Sequence, residues 1–257
     1  MNDATHALGV LRASHDRLSQ LVADTPDDGF EVPSACTDWT VAAVLSHLGS
    51  QAEIFSAFFD AAVNGEPVPG QESFAPIWAV WDAKSPYDQA HHSVAANEAF
   101  LVRVESLDAS QLSELRFALF GMDLDAASLL RMKLTEHAIH AWDVFFAYDT
   151  DAVIPEDAAS VLVDGLADMV VRAGKPASPG RKIALATSQP ALRLVLDTEG
   201  VSLIPGDTSS TEALVELTSD QLIRLVYGRL SERELAGPAP VTQGVELDEL
   251  RAVFPGV

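Results

Sequence analysis

Cysteine is almost missing from this chain: Cys36 stands alone among 257 residues. A single cysteine excludes an intramolecular disulfide and every Cys-rich zinc module, and it suits a reducing compartment. Basic residues are scarce as well, 16 Lys and Arg against 38 Asp and Glu, for a net charge of −22. Residues 1–150 hold 7 basic and 22 acidic groups, and residues 151–257 hold 9 and 16, so neither half offers a basic patch. Such a surface repels nucleic acid and anionic lipid, so neither is expected as a partner. Long apolar runs are also lacking. The best candidate, around Ile54 to Val63, is interrupted by Asp60 and bordered by Glu53, well short of the roughly 20 residues a membrane span needs. The N-terminal Met-Asn-Asp-Ala-Thr-His has neither the basic start nor the apolar run of a signal peptide. The expected location is the cytoplasm, with no membrane association.

What is present is apolar material, 48% of the residues, enough to bury a core without staples. Leu8, Leu11, His15, Leu18, Leu21 and Val22 recur at helical spacing between Thr5 and Ala23. A second helix is predicted from Trp39 to Val63 after Thr37-Asp38, both good capping types. Residues 65–85, rich in Pro, Gly and aromatics, read as a long connection with room for a short helix. A third helix is predicted over about 87–107 and a fourth over 125–148. Four helices with one long connection make a four-helix bundle over residues 1–150. The texture then changes. A helix over 156–173 is followed by short alternating or β-branched segments at 182–186, 192–197, 201–204 and 213–217, then by a helix over 219–227. Strands and helices without regular alternation predict an α+β domain over 151–257, and the chain as a whole is expected to be α+β.

The richest chemistry lies in the fourth helix. Glu136, His140 and Asp143 fall at i, i+4 and i+7, on one face of an otherwise apolar helix. A carboxylate and an imidazole one turn apart can hold one metal ion, with Asp143 placed to orient His140. A further ligand must come from elsewhere. His47 is the candidate, the one polar ring in the apolar run Val41 to Leu48. A histidine in such a helix is either a hydrogen-bonded core residue or a ligand, and a Glu-x-x-x-His pair also occurs as a plain helix-face pair. As a set, His47, Glu136 and His140 leave a coordination position open, the pattern of a catalytic site. His137 sits about 100° round the helix and is the weaker candidate. His91-His92 read as a solvated helix face. Cys36, at a helix start where a thiolate would be stabilised, reads as a packing residue, and the four tryptophans as core or pocket walls.

Cys36-Thr37-Asp38-Trp39-Thr40-Val41, followed by Leu45-Ser46-His47-Leu48, resembles the helix-2 signature of the mycothiol-dependent maleylpyruvate isomerase family, within the wider DinB-like bundle group. Glu136-His137-Ala138-Ile139-His140-Ala141-Trp142-Asp143 resembles that family's second signature. The sequence departs at Thr37-Asp38, where Pro-Gly is usual; this touches a helix start and spares the ligands. The resemblance implies that His47, Glu136 and His140 bind a divalent metal, usually zinc. It also implies a smaller, sterol-carrier-like α+β C-terminal domain. Within Leu225-Val226-Tyr227-Gly228-Arg229-Leu230, Arg229 is the match to the family's catalytic arginine.

What the resemblance implies chemically is a metal-dependent enzyme that uses mycothiol on a small electrophilic substrate, as a maleylpyruvate-type cis–trans isomerase. A mycothiol S-transferase, with a stable adduct as its end point, shares the metal and thiol steps, so motifs do not separate the two. A different class, a non-catalytic binder of apolar ligands, stays open because fold does not fix function.

Overall fold

The computed structural model describes residues 3–119, 121–177, 179–187, 191–206, 211–235 and 240–256. The chain divides into two units, Met1–Asp149 and Thr150–Val257, and its class is α+β. In the first unit, α1 (Asp3–Asp24), α2 (Val41–Asn64), α4 (Pro86–Glu105) and α6 (Ala126–Tyr148) are the long helices. Shorter elements join them: α3 (Phe74–Asp82), α5 (Ala109–Glu114) and an antiparallel hairpin of β1 (Arg116–Leu119) and β2 (Met122–Asp125).

Local chemistry sets the helix ends. Thr40 caps α2 by accepting the Ala43 N–H at 3.2 Å, Ser85 caps α4 from Asp88, with Pro86 in the first turn, and Asp125 caps α6 from Ser128. The second helix thus starts later than the sequence predicts. Trp39 stays outside it, because Asp38 turns the chain with a left-handed φ of 64° and Pro33 pairs with Thr40 in a short antiparallel bridge. Trp39 is thereby held in a loop instead of on a helix.

The bundle's directions follow from its contacts. His47 of α2 lies against His140 of α6 while Phe55 lies under the Lys133 ammonium, so α2 and α6 run antiparallel. Asn97 donates to the Leu48 carbonyl and Arg103 to Asp60, so α4 runs parallel to α2. Parallel neighbours require a crossover, which the 65–85 connection and α3 supply. Trp81 of α3 is buried flat against α2 at Gly49, where a Cβ would sit 2.2 Å from the indole ring. The core at the site's end of the bundle gathers Leu18, Val41, Val44, Leu45, Ala141 and Val144.

The second unit holds α7 (Glu156–Ala173), α8 (Ser219–Val226) and α9 (Leu247–Val253) with a five-stranded sheet. Its strands are β3 (Lys182–Ala186), β4 (Leu192–Leu196), β5 (Val201–Pro205), β6 (Ala213–Glu216) and β7 (Val241–Gln243), in the order β5-β4-β3-β6-β7. Only β3 and β6 pair in parallel. Leu192, Leu194 and Leu196 alternate inward along β4, the period-2 pattern of a half-covered sheet. Arg224, wholly buried on α8, is ion-paired with Asp220 at 2.7 Å, and Asp220 also accepts the Ile154 N–H.

Candidate metal centre

Two helices present the candidate ligands. α2 brings His47, and α6 brings Glu136 and His140 one turn apart, so all three side chains meet where the helices face each other. One donor atom from each lies within 4.8 Å of the other two. His47 Nε2 is 3.4 Å, and His140 Nε2 3.9 Å, from the same Glu136 oxygen, Oε2. Donors held about 2.0–2.2 Å from one ion at tetrahedral angles stand roughly 3.4 Å apart, so this set fits a divalent cation after small adjustment.

The surroundings favour that use. The His140 Nδ1 lies 2.9 Å from Asp143 Oδ2, and a carboxylate can only accept, so Nδ1 carries the hydrogen and the Nε2 lone pair faces the other ligands. Asp143 is fully buried, which fixes the imidazole's tautomer and tilt together. Burial pushes the Glu136 carboxyl up, but the His47 contact, the electrostatic pull of the His140 ring and a hydrogen bond from Gln51 outweigh it and bring its pKa to about 2. Glu136 is therefore an anion at neutral pH, as a cation ligand must be.

Trp39 completes the setting. Its indole stacks on His140 with centroids 6.1 Å apart and meets His47 edge-on at 5.4 Å. It is 37% exposed, so it borders the ligands on their solvent side. The loop carrying it is tied to α6 by the Ala35 N–H, which donates to the Asp143 carbonyl at 3.1 Å.

Residues 11–145 match the family described as the mycothiol maleylpyruvate isomerase N-terminal domain. The chain belongs to this family. Its fold is also that of solved structures. The crystal structure of the mycothiol-dependent maleylpyruvate isomerase superposes with a TM-score of 0.67 at 19% identity, covering 88% of this chain and 89% of that one. A histidine-to-alanine mutant of that enzyme gives the same values. No curated protein matches the chain significantly.

The other candidates fall elsewhere. His137, one residue from Glu136, turns into the bundle and pairs with Ser14 at 3.0 Å. His91 stacks on Tyr87 and meets the buried Phe30 edge-on, half-buried, whereas His92 lies near Asp88 on the exposed face. Arg229 belongs to the second unit, 7% exposed, with Nη1 donating to the Tyr227 carbonyl at 2.7 Å. Gly228 before it has φ 71°, and a Cβ there would meet the Gly256 backbone at 2.3 Å, so only glycine fits the turn that sets Arg229.

Two neighbours of the centre were not placed there by the sequence, which left Gln51 aside and read Cys36 as a packing residue. Gln51 donates to Glu136 Oε2 at 2.8 Å; its position one turn after His47 was the available signal. Cys36 is half-buried, and its sulfur, one His140 nitrogen and one Asp143 oxygen form a second group within 4.8 Å. That proximity is made by the turn at Asp38, which no spacing rule reveals.

Proposed function

We propose that this protein is a metal-dependent enzyme that uses mycothiol on a small electrophilic substrate, working as a maleylpyruvate-type cis–trans isomerase. The observation that carries the reading is the convergence of His47, Glu136 and His140 from two helices, with His140 held by the buried Asp143. Two imidazoles and one carboxylate suit zinc and leave a position for an exogenous ligand. Bound there, the ion would lower the pKa of a coordinated thiol, and reversible thiolate addition to an activated double bond would let that bond rotate before elimination.

The chain's own residues would do the rest. Glu136 brings one negative charge to the ligand set, so a divalent ion there keeps a net positive charge that favours a thiolate. Asp143 holds the His140 ring in the tautomer that ligates. Trp39 walls the ligands on the solvent side and limits the room around the open position. Arg229 would pair with a substrate carboxylate or an oxyanion that develops from it. A local cation matters on a chain of net charge −22, because its long-range field opposes an anionic substrate.

The test is turnover of maleylpyruvate with mycothiol by wild type, His47→Ala and Arg229→Ala. Thiol-dependent turnover should vanish in His47→Ala, and Arg229→Ala should lose turnover while keeping its metal. Recovery of free mycothiol indicates isomerisation, and a stable adduct indicates transfer. Undiminished turnover by His47→Ala would refute the reading.

A further inference from the structure

Gln51 lies one turn after His47 on α2, so both side chains leave the helix on the face turned toward α6. Its Nε2 donates to Glu136 Oε2 at 2.8 Å, and that same oxygen faces His47 Nε2 at 3.4 Å and His140 Nε2 at 3.9 Å. We infer that Gln51 is a positioning residue of the centre: it holds the Glu136 carboxylate so that its ligand oxygen stays aimed between the two histidines. The inference rests on the metal-centre reading above and adds a residue to it.

Three observations support it. First, an ionised carboxylate oxygen has two lone pairs, so Oε2 can accept the amide hydrogen and still face an ion. Second, the amide's orientation is dictated by Glu136, since the flipped form would set acceptor against acceptor. Third, Gln51 Oε1 is buried with no hydrogen-bond partner among the described residues, a destabilising arrangement in a helix whose neighbours Leu48, Ala52 and Phe55 are buried apolar residues. An apolar residue at 51 would remove that orphan acceptor. What the amide does provide is its bond to Glu136. Glu136 needs such a hold, because it reaches across from α6 on a three-torsion side chain that is 42% exposed and has solvent-facing rotamers to escape to.

The experiment titrates metal-free, full-length protein with Co2+, reading the ion's visible absorption bands and its Kd by chelator competition. Gln51→Met, similar in length and without donor or acceptor, should bind Co2+ about 10–100-fold more weakly and with altered bands. The melting midpoint of the metal-free proteins separates this from a packing effect. A lowered midpoint with wild-type Kd and bands would make Gln51 structural and overturn the inference, as would wild-type behaviour throughout. If Gln51→Met does not fold, Gln51→Ala carries the test. Its side chain is too short to reach Glu136, so Co2+ should raise its midpoint less than it raises that of wild type, and an equal rise overturns the role. Wild-type protein that takes up no Co2+ overturns the metal centre itself, and this role with it. Uptake by wild type, equalled by Gln51→Met, overturns only the role of Gln51.

Discussion

Helix α6 carries two polar pairs of identical spacing, Glu136 with His140 and Lys133 with His137, and they have opposite fates. The first pair meets complementary groups: His47 and Gln51 from α2, and Asp143 from its own helix. The second pair points into the bundle, where both side chains are wholly buried. His137 reaches Ser14 through one nitrogen, while its Nε2 and the Lys133 Nζ have no hydrogen-bond partner among the described residues. Lys133 Nζ instead lies 5.7 Å from the Phe55 ring centre. Burial pushes the Lys133 pKa down to about 7 and that of His137 well below the ordinary imidazole range. Spacing of four therefore does not make a site. A carboxylate beside the histidine, and donors arriving from a second helix, do.

The largest effect that would sharpen this contrast is on stability. Lys133→Met should stabilise the metal-free protein by about 1–4 kcal/mol, because it removes a buried amine with no hydrogen-bond partner among the described residues. The pH dependence follows from the depressed pKa. Between about 7 in the fold and the ordinary 10.5 of an unfolded lysine, the unfolded chain binds a proton that the folded chain does not, so folding strengthens as pH rises through that window. The advantage of the Met variant is accordingly greatest below pH 7 and fades toward pH 10.5. Denaturant melts at pH 6 and pH 9 check this, and a variant no more stable than wild type at pH 6 would break the comparison.

On the other face, Asp143→Asn should weaken metal binding about 10–100-fold, roughly 1.4–2.7 kcal/mol, by disturbing the His140 tautomer. Chelator competition measures it; unchanged affinity would mean that His140 needs no orienting partner. The smallest effect concerns the loop that brings Trp39 to the ligands. Asp38 adopts φ 64°, so Asp38→Gly should stabilise by about 0.5–1 kcal/mol. A melting midpoint that falls instead would show that the aspartate side chain compensates the backbone.

The long elements were legible because periodicity averages over many residues. The 156–173 helix and the 182–186 strand are found as the pattern predicts, and α1, α2, α4 and α6 differ from it only near their ends. Short elements were not. β1 and β2 have four residues each, and Met122–Asp125 has no buried alternation to read, although Gly121 with φ 77° marks the turn between them. α5 could have been found from Asp108 and Gln111, which form a reciprocal capping box. α9 and β7 are too brief for any period to emerge. At the candidate centre, spacing named Glu136, His140, Asp143 and His47. Gln51, one turn after His47, was open to the same spacing argument, whereas Trp39 depends on a left-handed residue at 38, a fact of the loop with no local period.

The most direct test of the central claim is metal analysis of protein purified without a metal-affinity tag, beside His47→Ala and Glu136→Ala. The account predicts about one divalent ion per chain in wild type, lost in both variants while each keeps its fold. A wild-type protein that holds no ion and takes up no added zinc, or a His47→Ala protein that keeps its metal, would contradict it.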